Sequence, residues 1–136
     1  MKLALEAADD AITRELHEGL KAFNQAAMPG VPSNGFVVSL RDSDGTLKGG
    51  VIARVTGESC YVDTVWIDEA ARGGGLGTKM LRMAEEEARR IGARGAWLYT
   101  LSVQAKPFYE KIGYSEFAEL TWSGSDVRRH FMKKEL

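Results

Sequence analysis

The segment "ARGGGLGTKML", residues 71–81, sets four glycines between an arginine and a lysine, directly ahead of an apolar run. Ordering glycine costs more backbone entropy than ordering any other residue, so the missing side chains must serve a purpose. Leu76, Met80, Ala84, Ala88 and Ile91 recur at helical spacing after the glycines, with Lys79, Arg82, Glu86, Arg89 and Arg90 outside that stripe. A helix that begins here has orphan N–H groups and a partial positive charge at its first turn. Most helices answer that charge with an acid. In this chain the first acid after Arg72 is Glu85, and Arg72 and Lys79 only add to the positive charge. Such an end is built for an external anion, and glycines let the anion's oxygens reach the amides.

Two common anion loops do not fit. A P-loop needs Lys then Ser or Thr after its last glycine, whereas Gly77 is followed by Thr78 and Lys79. A dinucleotide loop starting at Gly73 needs glycine at 78, and an acid on the next strand, where "AWLYTL" has none.

Around the loop the chain alternates between two periods. "KLALE", with Leu3 and Leu5 on one face, predicts a first strand. Asp9 or Asp10 then caps a helix carrying Ile12, Leu16, Leu20, Phe23 and Ala27. Strands are predicted at 36–40, 49–55 and 59–67, the first two joined by the turn signal Asp44-Gly45. A strand at 96–101 follows the glycine helix. Next comes a short helix from Ser102, a plausible cap, to Gly113; "YSEFAELTW" and "RRHFMKKEL" close the chain as strands. The charged tail reads as an edge strand that discourages sheet-to-sheet pairing. The β-α-β stretch requires a right-handed crossover between parallel strands. The predicted class is α/β, one domain over residues 1–136, with a mixed, mostly antiparallel sheet of about seven strands and helices on both faces.

A net charge of −1 leaves no global field for nucleic acid or acidic membrane, so a phosphate-bearing partner needs a local site. The lone Cys60 forms no internal disulfide and suits a reducing compartment; it reads as a buried, inert thiol. No membrane-spanning or signal segment is evident, which sets the expectation of a cytoplasmic protein. His17 and His130 lie in distant segments without metal-ligand spacing, so no metal is expected.

The pattern R-x-x-G-x-G at Arg72, Gly75 and Gly77, preceded by "VWIDEA", and the segment "QAKPFYEKIGY" at 104–114 together resemble the GNAT superfamily of acyl-CoA-dependent N-acetyltransferases. The resemblance covers nearly the whole chain. "TLSVQA" is similar to one bacterial subgroup of small members, with Tyr99 where that subgroup would carry an acid.

The resemblance implies acetyl-CoA as cosubstrate. Its pyrophosphate would lie on the amides of Gly73, Gly74, Gly75, Gly77 and Thr78 with Arg72 completing the loop, and Ser102 belongs to the same site. Main-chain groups of Val65 and Ile67 would pair with the pantetheine amides like an added strand. Tyr109 would be the general acid for the departing thiolate, Phe108 and Ile112 supplying the buried stripe of its helix. Asp63, read as sharing a face with Val65, is equally a base for the amine or a salt-bridged surface acid. A main-chain N–H of the 59–67 strand would hold the oxyanion.

The implied activity is acetyl transfer to a primary amine of a small acceptor by direct attack. The alternative is a non-catalytic acyl-CoA-binding module on the same fold. Acceptor choice in such enzymes belongs to the first helix, the 28–35 loop and the last two strands. Trp122 in "TWSGSD" serves either an acceptor pocket, core packing or a homodimer contact.

Overall fold

The computed structural model describes residues 1–101 and 105–136. They form two units, Met1–Val31 and Pro32–Leu136. In the first, Asp9 caps helix α1 (Asp10–Ala27) by accepting the N–H of Ile12 at 2.9 Å. Residues 1–9 form no strand, contrary to the reading of "KLALE". Two alternating leucines satisfy the period of a strand, but a strand exists only with a ladder partner, and these residues have none.

The second unit holds β1 (Ser33–Arg41), β2 (Leu47–Thr56), β3 (Ser59–Ile67), α2 (Leu76–Ile91), β4 (Gly95–Leu101), α3 (Lys106–Lys111), β5 (Ser115–Thr121) and β6 (Arg128–Glu135). The sheet has six strands in the order β1-β2-β3-β4-β6-β5, and every neighbouring pair is antiparallel except β3 and β4. The tail strand β6 is therefore interior, not an edge. Its outward Lys133 and Glu135 imitate an edge pattern, while His130 and Met132 are buried beneath a helix. Among the described residues no helix is long and apolar enough to cross a membrane.

One face of the sheet carries the core. Val51, Ala53 and Val55 of β2, Cys60 and Val62 of β3, Ala96 and Leu98 of β4, and Met132 of β6 pack against Met80, Leu81, Ala84 and Ala88 of α2 and Tyr109 of α3. Within this unit both helices thus share one face. Burial pushes the Cys60 thiol up to about 11, so the thiol is inert, as its sequence context suggests.

A charged group crosses this apolar layer. Glu85 of α2 is only 4% exposed. Lys134 of β6 donates to its two oxygens at 2.9 and 3.0 Å, and the Tyr114 hydroxyl donates at 3.2 Å. Removing one partner of such a pair strands the other charge, whereas replacing both is well tolerated. Lys134→Met is expected to lower stability by about 3–5 kcal/mol, and adding Glu85→Leu to recover most of the loss. Urea denaturation midpoints of the single and double variants check this.

Candidate active site

The site begins with an irregularity in β3. Its register against β2 runs Val62 to Ala53 and then Thr64 to Ile52, so Asp63 is an extra residue in a bulge. The bulge shifts the facing pattern by one. Cys60 and Val62 face the core before it, and Val65 and Ile67 pack against the core after it. Asp63 therefore does not share the face of Val65, as strict alternation had suggested. It is exposed and lies close enough to Tyr61, on the opposite face, to raise that phenol.

β3 parts from β4 just ahead of the bulge. The parallel pairing covers only Ser59–Tyr61 against Gly95–Trp97, although both strands continue past it. The N–H of Asp68, just past β3, donates to the Lys48 carbonyl at 2.8 Å on the β2 side. Backbone groups alternate along an antiparallel strand, so those of Val65 and Ile67 point away from β2, into the gap. The Ile67 carbonyl is bound from there by Arg72 Nε at 3.1 Å. The gap is thus a half-made ladder, able to take an extended ligand with amide groups.

The glycine loop stands at the end of this gap. After a short 3₁₀ turn (Glu69–Ala71), Gly73 and Gly75 take φ of +92° and +71°, which only glycine adopts freely. Gly75 is the N-cap of α2 with no side-chain cap, and the first turn holds no acid. The free amides of Leu76, Gly77 and Thr78 form the donor set for an anion. A side chain at Gly73 or Gly75 would meet no neighbour within 4 Å, and one at Gly74 only Leu76 Cγ at 4.0 Å. Open space over unpaired amides fits a pyrophosphate. Gly77 differs. A Cβ there would press on Ile67 Cδ1 and Phe108 Cζ, each at 3.2 Å. Its missing side chain serves the packing of α2 between β3 and α3, and only its N–H faces the loop. Arg72 acts by bracing the loop against β3 as well as by its charge.

Helix α3 is shorter than the reading from 102 to 113, with Ala105 at its N-cap. Ser102 lies outside the described residues. Tyr109, not Phe108 or Ile112, is the buried residue of α3, at 8% exposure. Its ring meets Phe108 and Tyr114 edge-on at 5.2 and 5.9 Å. Burial raises its phenol above the usual value, which keeps the proton on at neutral pH. No hydrogen bond ties its hydroxyl among the described residues, and no fully buried side-chain polar atom there lacks a partner. Among the described residues nothing competes for its proton.

His130 does have carboxylate company, which its place in the sequence hides. Its Nδ1 lies 2.6 Å from Glu116 Oε2 and 3.9 Å from Glu119 Oε2. The three residues could converge on an ion. However, Lys106 at 3.0 Å from Glu116 and Arg128 at 3.3 Å from Glu119 already balance both carboxylates. Lys106 first, and His130 second, hold the Glu116 carboxyl below its usual range. The network fastens the first turn of α3, and so Tyr109, to β5 and β6.

A parted β3–β4 pair closed by an uncapped glycine helix end is the arrangement of a known family. The model for the acetyltransferase (GNAT) family matches residues 3–114. The chain belongs to the GNAT acetyltransferases. It is 30% identical to an acetyltransferase of Agrobacterium fabrum over 85% of its length and 84% of the relative's. It is 36% identical to the blasticidin-S acetyltransferase of Streptomyces morookaense over 68% of each chain. A crystal structure of an acetyltransferase from Agrobacterium tumefaciens superposes with a TM-score of 0.88 at 28% identity, covering all of both chains. A streptothricin acetyltransferase of Bacillus anthracis in complex with acetyl coenzyme A shares the fold, with a TM-score of 0.68 at 19% identity over 76% of this chain and 63% of that one. Membership makes this chain an acetyltransferase on an α/β GNAT fold, and the described sheet has six strands where about seven were expected.

The two kinds of glycine separate by stability. Gly77→Val of this acetyltransferase is expected to cost about 1–3 kcal/mol by overpacking. Gly74→Val, at ordinary φ and in open space, should stay within about 0.5 kcal/mol of the parent. Equal melting of the two variants would refute the distinction.

Proposed function

We propose that this enzyme transfers the acetyl group of acetyl-CoA to a primary amine of a small-molecule acceptor by direct attack. The observation that carries the reading is the parting of β3 from β4 beside unpaired amides at the start of α2. The pantetheine arm fits the first as an added strand, through Val65 and Ile67, and the pyrophosphate fits the second, with Gly73, Gly74, Gly75, Gly77, Thr78 and Arg72 around it. The acetylated antibiotic in the name of the Streptomyces relative supports a small acceptor. The single buried thiol agrees with a cytoplasmic setting.

In the proposed reaction the amine nitrogen attacks the thioester carbon, forming the C–N bond and placing charge on the carbonyl oxygen. A main-chain N–H of β3 at the bulge stabilises that oxyanion. Asp63, directly or through water, takes the proton that the amine sheds. Collapse breaks the C–S bond, and the electron pair leaves on sulfur. Tyr109, kept protonated by burial, supplies the proton for the thiolate. No covalent intermediate forms on the protein, since the one cysteine is buried in the core.

An acceptor screen that detects released thiol tests the activity itself. No thiol release with any amine, despite acetyl-CoA binding, would leave a binding module only. Acetyl-CoA should stabilise the parent by roughly 2.7 kcal/mol at about 100 times its dissociation constant. Gly74→Val should lose that gain while the free protein melts as before; retention of the gain would move the phosphates elsewhere. Tyr109→Phe keeps the ring, so acetyl-CoA affinity should hold while turnover falls about 10²-fold, the lower end for a general acid because thiolate is a fair leaving group. Turnover unchanged under rate-limiting chemistry returns Tyr109 to a packing role.

A further inference from the structure

The sheet face turned away from α2 and α3 carries an aromatic layer that neither the core nor the proposed chemistry uses. Tyr61 of β3 stacks on Trp97 of β4 with ring centroids 4.3 Å apart. Phe131 of β6 meets Tyr99 of β4 at 5.8 Å and Phe117 of β5 at 6.2 Å. Arg129 lies across this layer with its guanidinium carbon 4.4 Å from the Tyr99 centroid. It is half-buried and has no ion pair among the described residues. Arg128 beside it is paired with Glu119. A half-buried guanidinium without a counter-ion is a cost that an anionic ligand would remove. Stacking on a ring holds the guanidinium plane and leaves its N–H edge available for a bidentate carboxylate.

Arg129 also lines a cleft of about 250 Å³ with Leu101, Leu120, Trp122 and Val127. Leu101 ends β4, beyond the point where β3 and β4 part. The cleft therefore opens at the strand end where the reaction is proposed. The carboxylate that acts on Tyr61 on this face is Asp63. Both reach Tyr61: burial raises that phenol most, Tyr99 and then Asp63 raise it further, and Arg129 opposes them. Tyr61 thus lies within the influence of one acid and one base.

We propose that the acceptor carries a carboxylate next to its primary amine, as an amino acid with a flat or apolar side group does, and that Arg129 holds this carboxylate while Asp63 faces the amine. The inference rests on the functional reading above. A polycationic amine meets repulsion from Arg129 at the cleft. A phosphate dianion would ask for a second cation, and Lys133 of the same strand face is drawn over Phe117, 5.9 Å from its ring centroid.

The test compares L-phenylalanine with phenethylamine, L-tryptophan with tryptamine, and both pairs with spermidine, by thiol release from acetyl-CoA. The amino acids should be preferred in kcat/KM by about 10- to 100-fold, the weight of one charge-assisted bidentate contact. In Arg129→Met that preference should collapse to about twofold, with Arg129→Lys between. The acetyl-CoA melting shift reports that each variant is folded. Equal or better use of phenethylamine, tryptamine or spermidine overturns the inference and leaves the proposed activity standing. So does a preference for the amino acids that survives in Arg129→Met. If neither amino acid is acetylated while acetyl-CoA still stabilises the parent, the carboxylate inference fails alone. If acetyl-CoA gives no stabilisation, the proposed function fails as well.

Discussion

The active face of this molecule depends on one extra residue in one strand. With regular pairing, β3 and β4 would close on each other and their backbone groups would be satisfied within the sheet. The bulge at Asp63 bends β3 away after three paired positions. It leaves the backbone groups of Val65 and Ile67 turned away from β2 and unpaired with β4, with only the Ile67 carbonyl taken by Arg72 among the described residues, an expense a folded chain tolerates where a ligand or water completes the ladder. The same insertion moves Asp63 out of the core-facing series to an exposed position near Tyr61. One irregularity thus marks where the slot opens and sets the face of the proposed base.

The carboxylates that pack beneath the sheet and beside α3 are matched by cations. Glu85 crosses the core but meets Lys134 and Tyr114. Glu116 and Glu119 are balanced by Lys106 and Arg128. Groups without an ion pair among the described residues include Arg72 and Lys79 near the first turn of α2, and Arg129 over Tyr99. Unmatched positive groups therefore occur at the proposed pyrophosphate end and at the proposed acceptor end.

Much of this was legible in the residues, and what was not has a physical cause. The uncapped helix after the glycines, the Arg72 and glycine spacing and the Tyr109 segment are local patterns, and local patterns survive in a sequence. The bulge is not local. It is a mismatch between β2 and β3, so alternation placed Asp63 on the wrong face. The interior position of β6 likewise depends on which edge of β4 is free. Gly77 reads as a loop glycine until Ile67 and Phe108 are seen against it. Glu85 could have been noticed, since it stands four residues after the core Leu81 in the buried stripe, where an acid calls for a partner. The partner, 49 residues away, could not. Arg129 could be separated from Arg128 only by the face each one takes.

The strand order has a consequence for how the chain reaches this state. β1, β2 and β3 pair in sequence order through short connections, so their contacts form early and at small entropic cost. β5 and β6 also pair in sequence order, but β6 must reach β4 across the intervening α3 and β5. Until the β5–β6 pair docks there, the far edge of β4 is unpaired. The half of the molecule that bears Arg129 and Glu116 is therefore the later one to assemble. A pause there would present an open apolar edge to other copies, which makes docking of β6 the step where productive folding competes with aggregation.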